Sequence, residues 1–319
     1  MKVIVTGGAG FIGANLAAGL AKFPDLDVHV IDDLSTGDPA NLDRVDVSFA
    51  EGSILDPDLL DEVFRGADAV VHLAAIPSVP RSLADPVASH NANAGGTLQV
   101  LEAARRAGGP QVVVASSSSV YGANVELPKH EAMRTQPMSP YAVSKLATEA
   151  YALAYRNCFD LDVLPFRFFN VFGPLQSSGH AYAAVIPAFV SAALSGTPLH
   201  VHGDGSQTRD FTYVGTVVEV ISEAVRNRIT SDGPVNLAFG TRTSLREVIA
   251  ELEDLLGHPV AVEYEPPRPG DVHDSQADNS RLRELFPDLT PVPLRDGLQA
   301  TVDWTRAQQI APSSAISAP

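Results

Sequence analysis

A tyrosine four residues ahead of a lysine, in Pro140-Tyr141-Ala142-Val143-Ser144-Lys145, puts a phenol and an ammonium on one face of a helix. A cation beside a phenol favours the tyrosinate and draws its pKa down from a reference near 10. Tyr141 is therefore a candidate general base for an alcohol proton, with Lys145 as its partner. The alternative is a surface pair of no consequence. Upstream, the strand-like Gln111 to Ala115 runs into Ser116-Ser117-Ser118-Ser119-Val120-Tyr121-Gly122. Serines before a glycine often mark only a turn. Beside Tyr141 and Lys145 they complete a Ser-Tyr-Lys set.

A second constellation lies near Met1, in Thr6-Gly7-Gly8-Ala9-Gly10-Phe11-Ile12-Gly13. It follows a strand-like run and opens a helix whose Ile12, Leu16 and Leu20 share one face. Gly7, Gly10 and Gly13 let the backbone turn tightly and approach a pyrophosphate, and the helix start at Phe11 supplies free N–H groups and positive potential. Nineteen residues after Gly13 comes Asp32, at the end of the second strand. A carboxylate there accepts both hydroxyls of a ribose and repels a 2′-phosphate. NAD is thus expected over NADP, and Asp33 strengthens the bias. His72-Leu73-Ala74-Ala75 ends the fourth strand in small residues, as close approach to a dinucleotide requires, though strands often end this way without a ligand.

These residues need a scaffold that brings strand ends together. Over the first 170 residues short β-branched runs alternate with helical stretches, with strands expected at Lys2 to Val5, Val28 to Ile31, Val45 to Ala50, Ala69 to Leu73, Gln111 to Ala115 and Val163 to Arg167. Their unbroken hydrophobicity suits strands buried on both faces, and the helical stretches serve as crossovers. The expected fold is α/β, a doubly wound Rossmann-type parallel sheet with a smaller interleaved lobe. Beyond Asn170 the rhythm breaks at Gly173-Pro174, Pro187, Gly196-Thr197-Pro198, Gly203 to Gly205 and Pro266 to Gly270. A helix over Thr216 to Arg226 and a strand at Val235-Asn236-Leu237 are expected to return to the first lobe. Residues 1–167 with 214–240 then form the nucleotide-binding domain and 168–213 with 241–305 the substrate lobe. The Ser, Ala and Pro tail at 311–319 is expected to be disordered.

Composition excludes several classes. The 319 residues are 45% hydrophobic, enough for a sizeable core. Net charge is −16, with acidic residues spread along the chain, which argues against a nucleic-acid binder. No apolar run is long enough for a membrane span, and Met1 leads straight into Val3-Ile4-Val5 without a leader, so a cytoplasmic location is the default expectation. The single Cys158 forbids an internal disulfide, and the nine histidines show no metal-ligand spacing. No structural metal is expected.

Taken together, the motifs resemble the extended short-chain dehydrogenase/reductase family, and within it the nucleotide-sugar 4-epimerases, over residues 1 to 305. The resemblance rests on Thr6 to Gly13, Asp32 to Gly37, His72 to Ala75, Asn93 with Gly96-Thr97, Ser116 to Gly122, Tyr141 to Lys145, and Arg167-Phe168-Phe169-Asn170-Val171-Phe172-Gly173-Pro174. It implies that Ser117, four before Tyr121, hydrogen-bonds the sugar 4-hydroxyl, and that Lys145 also holds the nicotinamide ribose. It places Gly7, Gly10, Phe11, Ile12, Gly13, Asp32, Asp33, Ser35, Thr36, Gly37, Ser53, Ile54, Leu73, Ala74, Ala75, Asn93 and Ser116 around NAD. Substrate contacts are implied for Ser78, Ser118, Asn170 and Asp271, with Arg209 and Arg268 gripping the diphosphate by forked donation. Val185, His200 and His202 fall where the family surrounds uracil, although the two histidines also suit a structural pair.

Dehydratases of this family resemble one another in carrying an acid and a base directly after the catalytic hydroxyl residue. Here those positions are Ser118 and Ser119, which cannot do that proton chemistry near neutral pH. Epimerisation through a transient 4-keto sugar needs less. A closer likeness to bacterial UDP-N-acetylglucosamine 4-epimerases lies in Ser78-Val79-Pro80-Arg81-Ser82, Ala181-Tyr182-Ala183-Ala184-Val185-Ile186-Pro187 and Asp271-Val272-His273-Asp274-Ser275. A small residue at 275 implies room for an N-acetyl group, without excluding UDP-glucose or UDP-glucuronate. Three positions depart from many relatives: Ser53 for Asp, Leu175 for Arg, and Gly215-Thr216 for Asp. A non-catalytic NAD-binding regulator is the reading from another class, and the intact Ser117, Tyr141 and Lys145 speak against it. A homodimer built on the helices near Thr97 to Arg106 and Tyr141 to Asn157 is also expected.

Overall fold

A computed structural model describes residues 1–178, 184–266 and 273–310. The amino-terminal half alternates strand and helix: β1 (Lys2–Thr6), α1 (Phe11–Leu20), β2 (Asp27–Asp32), β3 (Ser48–Glu51), α2 (Pro57–Val63) and β4 (Ala69–His72). Two short helices, α3 (Val79–Ala84) and α4 (Pro86–His90), lead through a π-helical turn at Asn91–Gly95 into α5 (Gly96–Arg106). Then come β5 (Gln111–Ser117), α6 (Pro140–Phe159) and β6 (Val163–Phe168). The strands form as expected because Val3 to Val5, Val70, Val71, Val112 to Val114, Val163 and Leu164 lose essentially all solvent contact on both faces.

The second half holds β7 (Asn170–Phe172), α7 (Val185–Ser195), β8 (Leu199–His202), β9 (Thr208–Arg209), β10 (Phe211–Tyr213) and α8 (Val214–Arg226). After these come β11 (Val235–Leu237), β12 (Thr243–Ser244), α9 (Leu245–Leu256), β13 (Val262–Glu265), α10 (Ser280–Leu285) and α11 (Leu294–Ile310). Seven parallel strands make one sheet in the order β3-β2-β1-β4-β5-β6-β11. β11 returns to pair with β6, and α8 buries Val217, Val220, Ile221 and Val225 with Leu16 and Leu20 of α1 on one face. The other face is closed by α2, α5 and α6 over Ile4, Val70, Val112 and Val114. The remaining strands form three two-stranded pairs, β7 with β10, β9 with β12, and β8 with β13. Under them α7, α9 and α11 share a separate core around Phe189, Val190, Val248, Leu252 and Leu298.

One strand starts later than its sequence pattern predicts. Val45 and Val47 are taken up in turns, with their N–H groups donating to the Leu42 and Val45 carbonyls, so β3 begins at Ser48. The strand order reverses direction between β1 and β4, and in such sheets the crevice at the strand carboxyl ends is where ligands bind. The glycine turn, Asp32, Leu73 to Ala75 and Ser116 to Ser117 all sit at that edge.

Candidate active site

The glycine turn joins β1 to α1. Gly7 has φ +71°, and a Cβ there would lie 2.7 Å from the Ala74 nitrogen; a Cβ on Gly13 would fall on the Gly7 carbonyl oxygen. Only glycine lets the turn close this far. No side chain caps α1, so the first-turn N–H groups of Phe11, Ile12 and Gly13 remain available to an anion. Asp32, 8% exposed, sits across the turn: its Oδ2 accepts from Ala9 N–H and its Oδ1 from Leu34 N–H, both at 2.9 Å. Gly37 lies against this carboxylate, where a Cβ would be 2.9 Å from Oδ1. A tight turn, a bare helix start and a carboxylate beside them fit a dinucleotide's pyrophosphate and ribose.

Other expected cofactor residues have local work. Asp33 and Ser35 close on each other, with the Ser35 N–H and Oγ donating to Asp33 Oδ1 at 3.0 and 2.5 Å, and Thr36 is exposed. Ser53 Oγ accepts from Leu55 N–H at 3.2 Å, and Ile54 is buried in the core beneath the sheet. Asn93, in the π-helical turn, uses its amide on the protein. Its Oδ1 accepts from Ile76 N–H at 2.7 Å, and its Nδ2 donates to Ser144 Oγ at 2.9 Å. It thereby ties the segment after Leu73, Ala74 and Ala75 to α6.

Beneath that segment His72 is buried between two threonines. Thr6 Oγ1 is 2.8 Å from Nδ1 and Thr97 Oγ1 is 3.0 Å from Nε2. Thr97 donates its own proton to the Asn93 carbonyl at 2.6 Å, so it accepts from Nε2–H, and Nδ1 accepts from Thr6. Burial, helped by the Lys145 charge, lowers His72 from 6.5 to about 3 and keeps the ring neutral. The unfolded chain protonates this ring below pH 6.5 and the folded one does not, so stability falls as pH drops through that window. At roughly 1.4 kcal/mol per pH unit, acidification from 6.5 to 5 costs about 2 kcal/mol. Chemical denaturation at pH 7 and pH 5 should show that loss, and a His72→Gln variant should flatten it.

The three catalytic candidates converge. Ser139 caps α6 by accepting from Ala142 N–H at 3.1 Å, with Pro140 in the first turn. The Tyr141 phenol comes near Ser117, whose hydroxyl accepts from Ser119 N–H at 3.2 Å as it opens a 3-10 turn at the end of β5. Lys145 Nζ donates to the Ala115 carbonyl at 2.9 Å. The protein's own groups do not lower the tyrosine: burial pushes the phenol above its ordinary value and Ser117 only partly offsets it. The ammonium, held down at about 8 by burial, is engaged by the Ala115 carbonyl instead of serving the phenol.

On the substrate side, Arg209 Nη1 donates to the Thr208 and His273 carbonyls at 2.9 and 3.0 Å. Ser275 is held next to it, its N–H donating to the Thr208 carbonyl at 3.1 Å. Asn170 Nδ2 donates to the Asp210 carbonyl at 3.2 Å, which links β7 to the start of β10. Ser78 caps α3 by accepting from Arg81 N–H, Ser118 begins the 3-10 turn, and Val185 opens α7. His200 and His202 both face Glu265 of β13, with Nδ1 to carboxylate distances of 2.9 and 3.2 Å. Arg268 and Asp271 lie outside the described residues, as does the 311–319 tail.

Residues 3–238 match the NAD dependent epimerase/dehydratase family. The chain belongs to that family. It is 38% identical to a UDP-glucose 4-epimerase of Mycolicibacterium smegmatis, over 96% of this chain and 99% of that one. Among solved structures it resembles a UDP-N-acetylglucosamine 4-epimerase from Methanobrevibacter ruminantium in complex with UDP-N-acetylmuramic acid, at 35% identity and TM-score 0.91, covering 96% and 98% of the two chains. It also resembles a UDP-glucuronic acid 4-epimerase from Bacillus cereus in complex with UDP-glucuronic acid and NAD, at 31% identity and TM-score 0.87, covering 97% and 100%.

Several contacts of this epimerase/dehydratase site were not foreseen from sequence. Asn41 Nδ2 and Asp38 N–H both donate to the Ala9 carbonyl, at 2.9 and 3.1 Å, and brace the glycine turn from outside. Ser82 accepts from the Tyr141 N–H at 3.0 Å, an orphan donor of the first turn of α6. Glu149 forms a buried ion pair with Arg167. For Asn41 and Ser82 nothing local announces the partner. Glu149 did carry a signal, since it continues the Tyr141 and Lys145 face by one more turn, and a carboxylate on a buried face needs a partner. Among the described residues no helix is long and apolar enough to cross a membrane.

Proposed function

We propose that this protein is an NAD-dependent 4-epimerase of UDP-N-acetylglucosamine and its galacto epimer. The feature that carries the sugar assignment is Ser275, a small side chain on a segment fastened to the Thr208 carbonyl next to Arg209, at the position where the family resemblance implies room for an N-acetyl group. The likeness to the Methanobrevibacter enzyme supports it. UDP-glucose is the second reading, favoured by the Mycolicibacterium relative. UDP-glucuronate is a third, supported by the Bacillus cereus structure.

Gly7, Gly10, Gly13 and Asp32 would hold NAD, which when bound would supply reversible hydride transfer at the sugar C4. Tyr141 Oη takes the 4-hydroxyl proton and gives it back, and Ser117 Oγ, near that phenol, orients the hydroxyl. Lys145, charged at neutral pH with a pKa of about 8, adds positive potential beneath the site. Ser118 and Ser119, following Ser117, offer neither acid nor base for eliminating water. We assign 1–167 and 214–240 to the nucleotide cofactor and 168–213 and 241–305 to the sugar nucleotide. Purified protein given separate UDP-sugars, with products followed by NMR, should epimerise UDP-N-acetylglucosamine with the highest kcat/KM. Turnover of UDP-glucose alone would move the assignment to the second reading.

The same helices offer a self-association surface. Leu83 (66% exposed), Val87 (67%) and Val143 (49%) lie on α3, α4 and α6, which pack together, and α6 continues outward through Tyr151. We assign this face, with α5, to a homodimer. Light scattering should give twice the 33.7 kDa chain mass, and a Val143→Glu variant should run as a monomer.

A further inference from the structure

Glu149 stands four residues beyond Lys145 and eight beyond Tyr141 on α6, 4% exposed. Its Oε1 accepts from Arg167 Nη2 at 2.6 Å and its Oε2 from Arg167 Nε at 2.9 Å. The Ser116 hydroxyl is 3.0 Å from Glu149 Oε2 and 3.3 Å from the Lys145 carbonyl, so one proton bridges the two turns of α6. Two adjacent residues of β5 therefore hold two successive turns of α6, Ala115 at Lys145 and Ser116 at Glu149, and the next residue, Ser117, lies near Tyr141 one turn earlier.

The chain of contacts continues across the sheet. Arg167 is the register partner of Ser116 on one side and of Asn236 on the other. Its guanidinium carbon lies 4.7 Å above the Tyr121 ring, and the Tyr121 hydroxyl donates to Asn236 Oδ1 at 2.6 Å. Asn236 Nδ2 in turn donates to the Lys129 and Asp278 carbonyls at 2.8 and 3.0 Å. Asp278 is three residues past Ser275. The network thus runs from the catalytic helix to the segment beside the sugar site.

A buried ion pair is weak evidence of stability, since apolar residues of similar volume often serve as well. Its fixed fork is better suited to holding geometry. Sliding α6 by one residue moves it about 1.5 Å, and a misplacement of about 1 Å in a reacting group costs on the order of 100-fold in rate. We propose that Glu149 and Arg167 are positioning residues, fixing α6 on β5 so that Tyr141 stays near Ser117 and Lys145 on Ala115, and coupling that placement through Tyr121 and Asn236 to the Ser275 segment. This rests on Tyr141 being the base.

The deciding variant is the double replacement Glu149→Leu with Arg167→Met, which removes the pair and leaves no buried charge behind. It should keep its melting temperature and bound NAD, lose about 10- to 100-fold in kcat with little change in KM, and shift the kcat–pH profile. Tyrosinate absorbance against pH, taken as the difference from a matched Tyr141→Phe protein, should show a displaced Tyr141 midpoint. That readout needs no substrate, so it stands even if no UDP-sugar is turned over by the wild type, a result that would sink the epimerase reading separately. If the double variant does not fold, Arg167→Lys, which keeps the charge and loses the fork, is judged by the same two measurements. A folded variant with kcat within two-fold of wild type and an unmoved Tyr141 midpoint overturns the proposal.

Discussion

A Tyr141→Phe variant is expected to keep its fold and its NAD and to lose about 1,000-fold in kcat. The change deletes one atom, the phenol oxygen. The start of α6 depends on the Ser139 cap, Pro140 and the bond from Tyr141 N–H to Ser82, none of which uses that oxygen. The dinucleotide cradle at Gly7, Gly13 and Asp32 is likewise built without it. A proton acceptor at the sugar hydroxyl is all that goes, and Ser117, whose ordinary hydroxyl is a poor base, cannot replace it. Epimerisation rates together with NAD released on denaturation test this. Activity within ten-fold of wild type would mean that Tyr141 is not the base.

The second large effect concerns the sugar. Ser275→Tyr is expected to cut kcat/KM for the N-acetylated substrate on the order of 100-fold while sparing UDP-glucose, because the added ring fills the volume assigned to the N-acetyl group. Ser275 reaches the fold through its backbone N–H, so the substitution leaves the bond to the Thr208 carbonyl in place. Competition between the two substrates in one reaction measures the ratio directly. An unchanged preference would place the N-acetyl group elsewhere.

What could be read from sequence, and what could not, divides along physical lines. The strands at Val3 to Val5 and Val112 to Val114 were legible because a strand buried on both faces has to be apolar at every position. The placement of Tyr141 and Lys145 on one face of α6, and of the serine cluster at a strand end, was legible because spacing along a helix and the end of an apolar run follow from chain geometry. The choice of Ser117 within that cluster came instead from the family resemblance. The Glu149 to Arg167 pair was not, since a helix position carries no information about which strand residue lies opposite. Nor was the direction of the Tyr141 shift. Proximity in sequence pointed to the lysine, whereas desolvation depends on how the folded chain surrounds the ring. The late start of β3 has the same origin, for Val45 and Val47 have strand-like side chains but backbone groups already committed to turns.

The way Ser275 is fastened bears on how enzymes of this kind diverge. The segment around it is secured by main-chain groups at both ends, from Thr208 N–H to the His273 carbonyl and from Ser275 N–H to the Thr208 carbonyl. Its neighbour Asp274 adds side-chain bonds to Thr208 and Arg242. None of these attachments uses the Ser275 side chain. A lineage can therefore exchange that residue at little cost to folding, and the chemistry anchored on α6 is left unaltered. Under the proposed assignment of Ser275, substrate range would drift by single substitutions at this one position, without passing through an inactive ancestor.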